Sequence, residues 1–129
     1  MTTVLLDTHA LYWLSVDPSR LSARADDQIR AANELAVSDI TWFELALLAT
    51  RGRIIVSTSV QGWLEALARD ARSVPITPAI AATAAALPEA FPRDPADRLI
   101  YATALERGWP LLTRDQRLHG HRDPDPAVW

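Results

Sequence analysis

Four carboxylates of this chain stand where acids can do chemistry: Asp7, Glu44, Asp97 and Asp115. Asp7 ends the apolar run Val4-Leu5-Leu6, and Asp115 follows Pro110-Leu111-Leu112-Thr113-Arg114. Glu44 lies just inside the apolar stretch Thr41-Trp42-Phe43-Glu44-Leu45-Ala46-Leu47-Leu48. Asp97 sits one turn into a segment opened by Asp94-Pro95-Ala96. Carboxylates about 5 Å apart at an effective dielectric near 20 repel by roughly 3 kcal/mol per pair, so acids that converge call for cations. One or two hard divalent ions, magnesium or manganese, answer that need because oxygen ligands suit them. The chemistry open to such a site is metal-assisted hydrolysis, with the carboxylates holding the ions and no histidine base required.

Each acid also has a structural use. Asp94 before Pro95 is the expected pair at the N-cap and first position of a helix, with an outer role at the site as the alternative. Asp97 then falls at the third position, where the helix dipole favours a carboxylate. Thr41-x-x-Glu44 matches a capping box. Asp7 could cap the helix it precedes, although Thr8 is available for that, and Asp115 could be an ordinary turn residue. His9 reads as a helix residue near the site rather than a catalyst. Arg98 and Arg114 adjoin acids and either contact phosphate or lie solvated on the surface.

The elements that must position these residues follow from the apolar spacing. Val4-Leu5-Leu6 predicts a strand and Thr8 to Leu14 a helix; Pro18 to Ser22 punctuate the chain, and Ser22 caps a polar helix running to about Asn33. Leu35-Ala36-Val37 predicts a second strand, and Thr41 to Leu48 a helix that Gly52 can end. Further helices are expected over Trp63 to Ala71, Pro78 to Leu87, and Asp94 to just before Gly108. Val74-Pro75-Ile76 and Pro110 to Thr113 are strand-like. The tail to Trp129 is too rich in Pro and Asp to assign. Strands alternating with helices imply an α/β fold with a parallel sheet covered on both faces, in which ligands bind beyond the carboxyl ends of the strands.

Composition narrows the rest. A chain of 129 residues, 49% apolar, suits one domain spanning 1–129. No apolar run approaches the roughly 20 residues that span a bilayer, and Met1 to Asp7 lacks the features of a signal peptide, so a cytoplasmic protein is expected. With no cysteine and only three histidines, thiolate metal sites are excluded and a zinc centre has little to use. All thirteen basic residues are arginine, which excludes lysine nucleophiles and Schiff bases. A net charge of -3 argues against gripping nucleic acid over the whole surface, leaving room for a local basic patch.

The segments VLLDTHALYW, SDITWFELALL, DPADRLIYATAL and LLTRD, in this order and at this length, resemble a PIN-domain ribonuclease, and more narrowly a VapC-type toxin of a bacterial toxin–antitoxin pair. The resemblance weakens between Gly52 and Pro92 and after Leu118. It implies a central parallel sheet of four to five strands flanked by helices, and an acidic centre of Asp7, Glu44, Asp97 and Asp115 with Thr8 and Thr113 as polar neighbours. It further implies Mg²⁺- or Mn²⁺-dependent cleavage of RNA and inhibition by a small cognate antitoxin, as a homodimer or a toxin–antitoxin hetero-oligomer without membrane association. Asp97, before Arg98-Leu99-Ile100, takes the metal-site role by this resemblance, and Asp94 the cap.

A haloacid-dehalogenase-like phosphatase would need a second Asp where His9 stands, and a receiver domain would need a lysine. The remaining alternative is a non-catalytic PIN-like binding or regulatory module, against which the presence of all four acids speaks. Trp13 and Trp42 fall in helical apolar patterns expected in the core, whereas Trp63 and Trp129 are candidates for an apolar groove that takes a partner helix.

Overall fold

The computed structural model describes residues 2–129. Five strands, β1 (Thr3–Leu6), β2 (Glu34–Ser38), β3 (Arg72–Val74), β4 (Leu111–Leu112) and β5 (Ala127–Val128), form one sheet in the order β3-β2-β1-β4-β5. Every pairing is parallel. Six helices connect them: α1 (Thr8–Val16), α2 (Ala23–Ala31), α3 (Ile40–Thr50), α4 (Val60–Leu67), α5 (Pro78–Ala85) and α6 (Pro95–Arg107).

Both faces of the sheet are covered, and the period-2 alternation of each strand shows how. Leu5, Ala36 and Leu111 point to one side, where Ile80, Ala84, Ile100, Tyr101 and Ala104 of α5 and α6 pack on them. Val4, Leu6, Val37 and Leu112 point to the other, against Ala10, Leu11, Ala25, Leu45 and Leu67 of α1 to α4. The three-layer α/β arrangement is the one expected from alternating short strands and helices. None of the helices among the described residues is long and apolar enough to cross a membrane.

Local chemistry sets the boundaries. Ser22, Ser59 and Thr77 each turn a side-chain oxygen onto an amide in the first turn of α2, α4 and α5. Gly108 ends α6 at φ 68°, a left-handed position that suits glycine. Two expectations are corrected and one unassigned segment takes a place in the sheet. The helix expected over Trp63 to Ala71 spans Val60–Leu67, because Ser59 caps it earlier and Ala71 leads into β3. Strand β3 ends at Val74, before Pro75, which has no amide for the ladder. The unassigned tail supplies β5, whose pairing with β4 includes Leu111↔Ala127.

The sheet order reverses between β1 and β4. Strand β1 is followed by α1, α2 and the adjacent β2, whereas β4 is reached from β3 by α5 and α6 on the far side. Adjacent carboxyl ends whose chains leave in opposite directions open a crevice. Asp7 follows β1 there, and Asp115 follows β4.

Candidate active site

Asp7 turns the chain out of β1, with an extended backbone at φ -74° and ψ 175°. Its Oδ1 accepts the Ala10 amide at 2.8 Å, so Asp7 and not Thr8 caps α1. Thr8, freed from capping and buried, donates its hydroxyl to Glu44 Oε1 and lies 3.3 Å from Thr41 Oγ1. The capping box over Thr41 and Glu44 is not used. Helix α3 starts at Ile40, which puts Glu44 in its second turn, where Thr8 holds it.

Asp94 is the N-cap of α6: its Oδ1 accepts the Ala96 amide at 2.8 Å and the Asp97 amide at 3.4 Å, and Pro95 takes the first helical position. The Asp97 carboxyl is therefore not needed for the cap. After β4, the buried Thr113 accepts the Asp115 amide on Oγ1 at 3.1 Å. Asp115 in turn caps a short 3-10 turn, Gln116–Leu118, by accepting the Arg117 amide at 3.0 Å. We therefore expect Asp94→Ala to cost about 0.5–2 kcal/mol of stability while activity persists below the melting transition; thermal melts and assays of the same preparation check it.

One arginine joins two of the acids. Arg117 Nη2 lies 2.6 Å from Asp115 Oδ2 and 3.7 Å from Asp97 Oδ2, and its Nε donates to Asp115 Oδ1 at 3.0 Å. This residue was not singled out from the sequence; its place two residues after Asp115 was the available signal. The Thr41 hydroxyl, expected in a capping box, is buried against Thr8 instead.

The acids perturb one another. Burial pushes Asp7 and Glu44 above the usual carboxylate range, opposed by hydrogen bonds from Thr113 and Thr8 respectively. Asp97 is pushed up to about 7, first by burial and then by the charges of Asp94, Glu44 and Asp115. Asp115 moves the other way, because the Arg117 guanidinium favours its charged form. A carboxyl with a raised folded pKa stabilises the fold below its unfolded pKa of 3.8 and loses that contribution as pH rises to about 7. Asp7 and Glu44 add to the same sign, while the opposite contribution of Asp115 is complete above the ordinary carboxylate range. Metal-free protein should thus be more stable at pH 5 than at pH 8 by about 1–2 kcal/mol, allowing for screening by water and salt. Asp97→Asn should flatten that dependence in denaturant melts.

The donor set suits a hard divalent cation: all four side chains offer oxygen, and Asp97 and Asp115 already share one cation, the Arg117 guanidinium. Their spacing is open. Among the described residues, no three histidine, aspartate or glutamate side chains are set closely enough to enclose an ion. The expected convergence is thus one of place and electrostatic influence rather than of closed coordination.

Arg98 is put to a use the sequence did not suggest. Its guanidinium donates to the carbonyls of Pro92, Ala84, Leu87, Pro88 and Phe91 at 3.0–3.3 Å, which ties α6 to the end of α5 and leaves no donor directed at phosphate. Arg114 stays exposed, 5.8 Å above the Trp13 ring. It lines a cleft of about 420 Å³ with Asp7, His9, Trp13, Asp115 and Gln116. Trp13 and Trp42 are only partly buried. Trp63 and Trp129 pack against the same core, with Trp63 edge-on to Tyr12 and Trp129 5.7 Å from Trp13, so the distinction drawn among the tryptophans does not hold.

Known proteins share this architecture. The chain is 58% identical, over 130 residues and 100% of both chains, to the protein named ribonuclease VapC22 of Mycobacterium tuberculosis (strain ATCC 25618 / H37Rv). A toxin-antitoxin complex from Klebsiella pneumoniae matches with a TM-score of 0.69 at 25% identity, over 98% of this chain and 96% of that one. VapBC-1 from nontypeable Haemophilus influenzae shares the fold with a TM-score of 0.67 at 19% identity, over 90% and 92%. The model of the PIN domain matches residues 4–123, a span that contains all four acids, and the chain belongs to the PIN-domain family.

Proposed function

We propose that this chain is a divalent-metal-dependent endoribonuclease of the VapC kind, the toxin of a toxin–antitoxin pair, in which Asp7, Glu44, Asp97 and Asp115 hold one or two magnesium or manganese ions. The observation that carries this reading is the Asp97–Asp115 pair sharing the Arg117 cation beside the β1/β4 crevice, with Asp7 and Glu44 near enough to act on the pair by charge. The 58% identity to a protein named a ribonuclease supports RNA as the substrate. Neighbouring folds solved as toxin-antitoxin complexes support a small antitoxin as the partner.

Within this reading each residue has a task. Asp97 and Asp115 face each other across Arg117 and supply charge at the centre. Glu44 is oriented by the Thr8 hydroxyl. Asp7 is fixed by its cap to Ala10. A bound divalent ion supplies Lewis acidity toward the phosphoryl group and a means of generating hydroxide at neutral pH. Arg114, exposed on the rim of the cleft, is placed to meet the RNA backbone.

Incubating RNA with homogeneous protein and Mn²⁺, beside Asp7→Asn prepared in the same way, tests the activity. Cleavage by the wild type alone supports it, whereas equal cleavage by both would assign the activity to a contaminant and defeat the proposal.

A further inference from the structure

We propose that Arg117 is the resident cation of the acidic site: it holds Asp97 and Asp115 together in metal-free protein, yields them to the divalent ion, and then binds the phosphate of the RNA. This deepens the nuclease reading and rests on it. Among the described residues, the guanidinium donors meet only these two carboxylates, at 2.6–3.2 Å for Asp115 and 3.7 Å for Asp97. No carbonyl anchors the group, in contrast to Arg98, and its side chain is 66% exposed. The contact can therefore break without leaving a buried donor unpaired.

Arginine and divalent ion need the same atoms. Arg117 Nη2 hydrogen-bonds to Asp115 Oδ2 and forms an ion pair with Asp97 Oδ2, and both oxygens are hard donors a metal would take. Two cations also repel at short range, so occupancy by one weakens the other, and that coupling is reciprocal. Displacement does not carry the guanidinium away, since Arg117 is two residues from Asp115. A freed arginine beside the acids presents a planar fork of donors that matches phosphate bidentately.

The test uses full-length wild type, Arg117→Gln and Arg117→Lys, each checked for a cooperative melt. Titrating Mn²⁺ calorimetrically without RNA should show Arg117→Gln binding about tenfold more tightly than wild type, with Arg117→Lys between them. At saturating Mn²⁺, Arg117→Gln should raise KM for RNA with a smaller change in kcat, and flatten the log–log salt dependence of kcat/KM by about 0.7. Merely structural loss would weaken the metal instead. Equal or weaker Mn²⁺ binding by Arg117→Gln overturns the competition, and an unchanged KM and salt slope overturn the phosphate role. Failure of the wild type itself to bind Mn²⁺ would refute the nuclease reading and this inference with it.

Discussion

Asp97→Asn should lower metal-dependent RNA cleavage by about a hundredfold or more, a loss of roughly 2.7 kcal/mol of transition-state stabilisation, with the fold intact. The side chain keeps its volume and loses the charge that attracts the ion. Asp97 takes no part in capping α6, because the Asp94 carboxylate accepts its amide, so no backbone group is orphaned by the change. Removing one negative charge from a mutually repelling set should also leave metal-free protein at least as stable as wild type at pH 8. Asp7→Asn should behave alike for a different reason: Asn is as good an N-cap as Asp, so α1 keeps its bond from Ala10 while the site loses charge. The check is a pair of measurements on each variant, a melt without metal and cleavage with it. Activity near the wild-type level in either variant would remove that residue from the site.

Arg98→Ala should be the most damaging single change to stability outside the apolar core, by about 2–4 kcal/mol, with a fall in Tm of roughly 10 °C. Five carbonyls between Ala84 and Pro92 converge on this one side chain. Several of them lie where α5 ends, where carbonyls lack helical partners and a cation complements the dipole. Lysine cannot reproduce the fork, so Arg98→Lys should recover little of the loss. RNA affinity of the residual folded protein, measured well below the transition, should change little. A variant that melts like wild type and binds RNA poorly would restore Arg98 as a phosphate contact.

The different fates of these arginines show what was legible. Strand-forming apolar runs, the Ser22 cap and the Asp94-Pro95 start of α6 are local signals, and each stands where its chemistry places it. The position of the four acids was also legible, because strand ends and early helix turns of an α/β fold share one edge of the sheet. The use of each donor was not. Arg98 and Arg117 are equally arginine in the sequence, but Arg98 reaches carbonyls up to 14 positions away that only the α5–α6 packing brings close. Glu44 matches a capping box by spacing but is held instead by Thr8, 36 positions earlier, at the neighbouring end of β1. Strand β5 depends on the ladder offered by β4, which Ala127-Val128 alone cannot announce.

RNA cleavage by this chain should depend on a divalent ion held by these acids. Homogeneous wild-type protein should cleave RNA with Mn²⁺ or Mg²⁺, lose that activity in EDTA, and regain it when excess metal is restored. Asp97→Asn should stay inactive throughout. Cleavage at the same rate with and without EDTA would contradict the account.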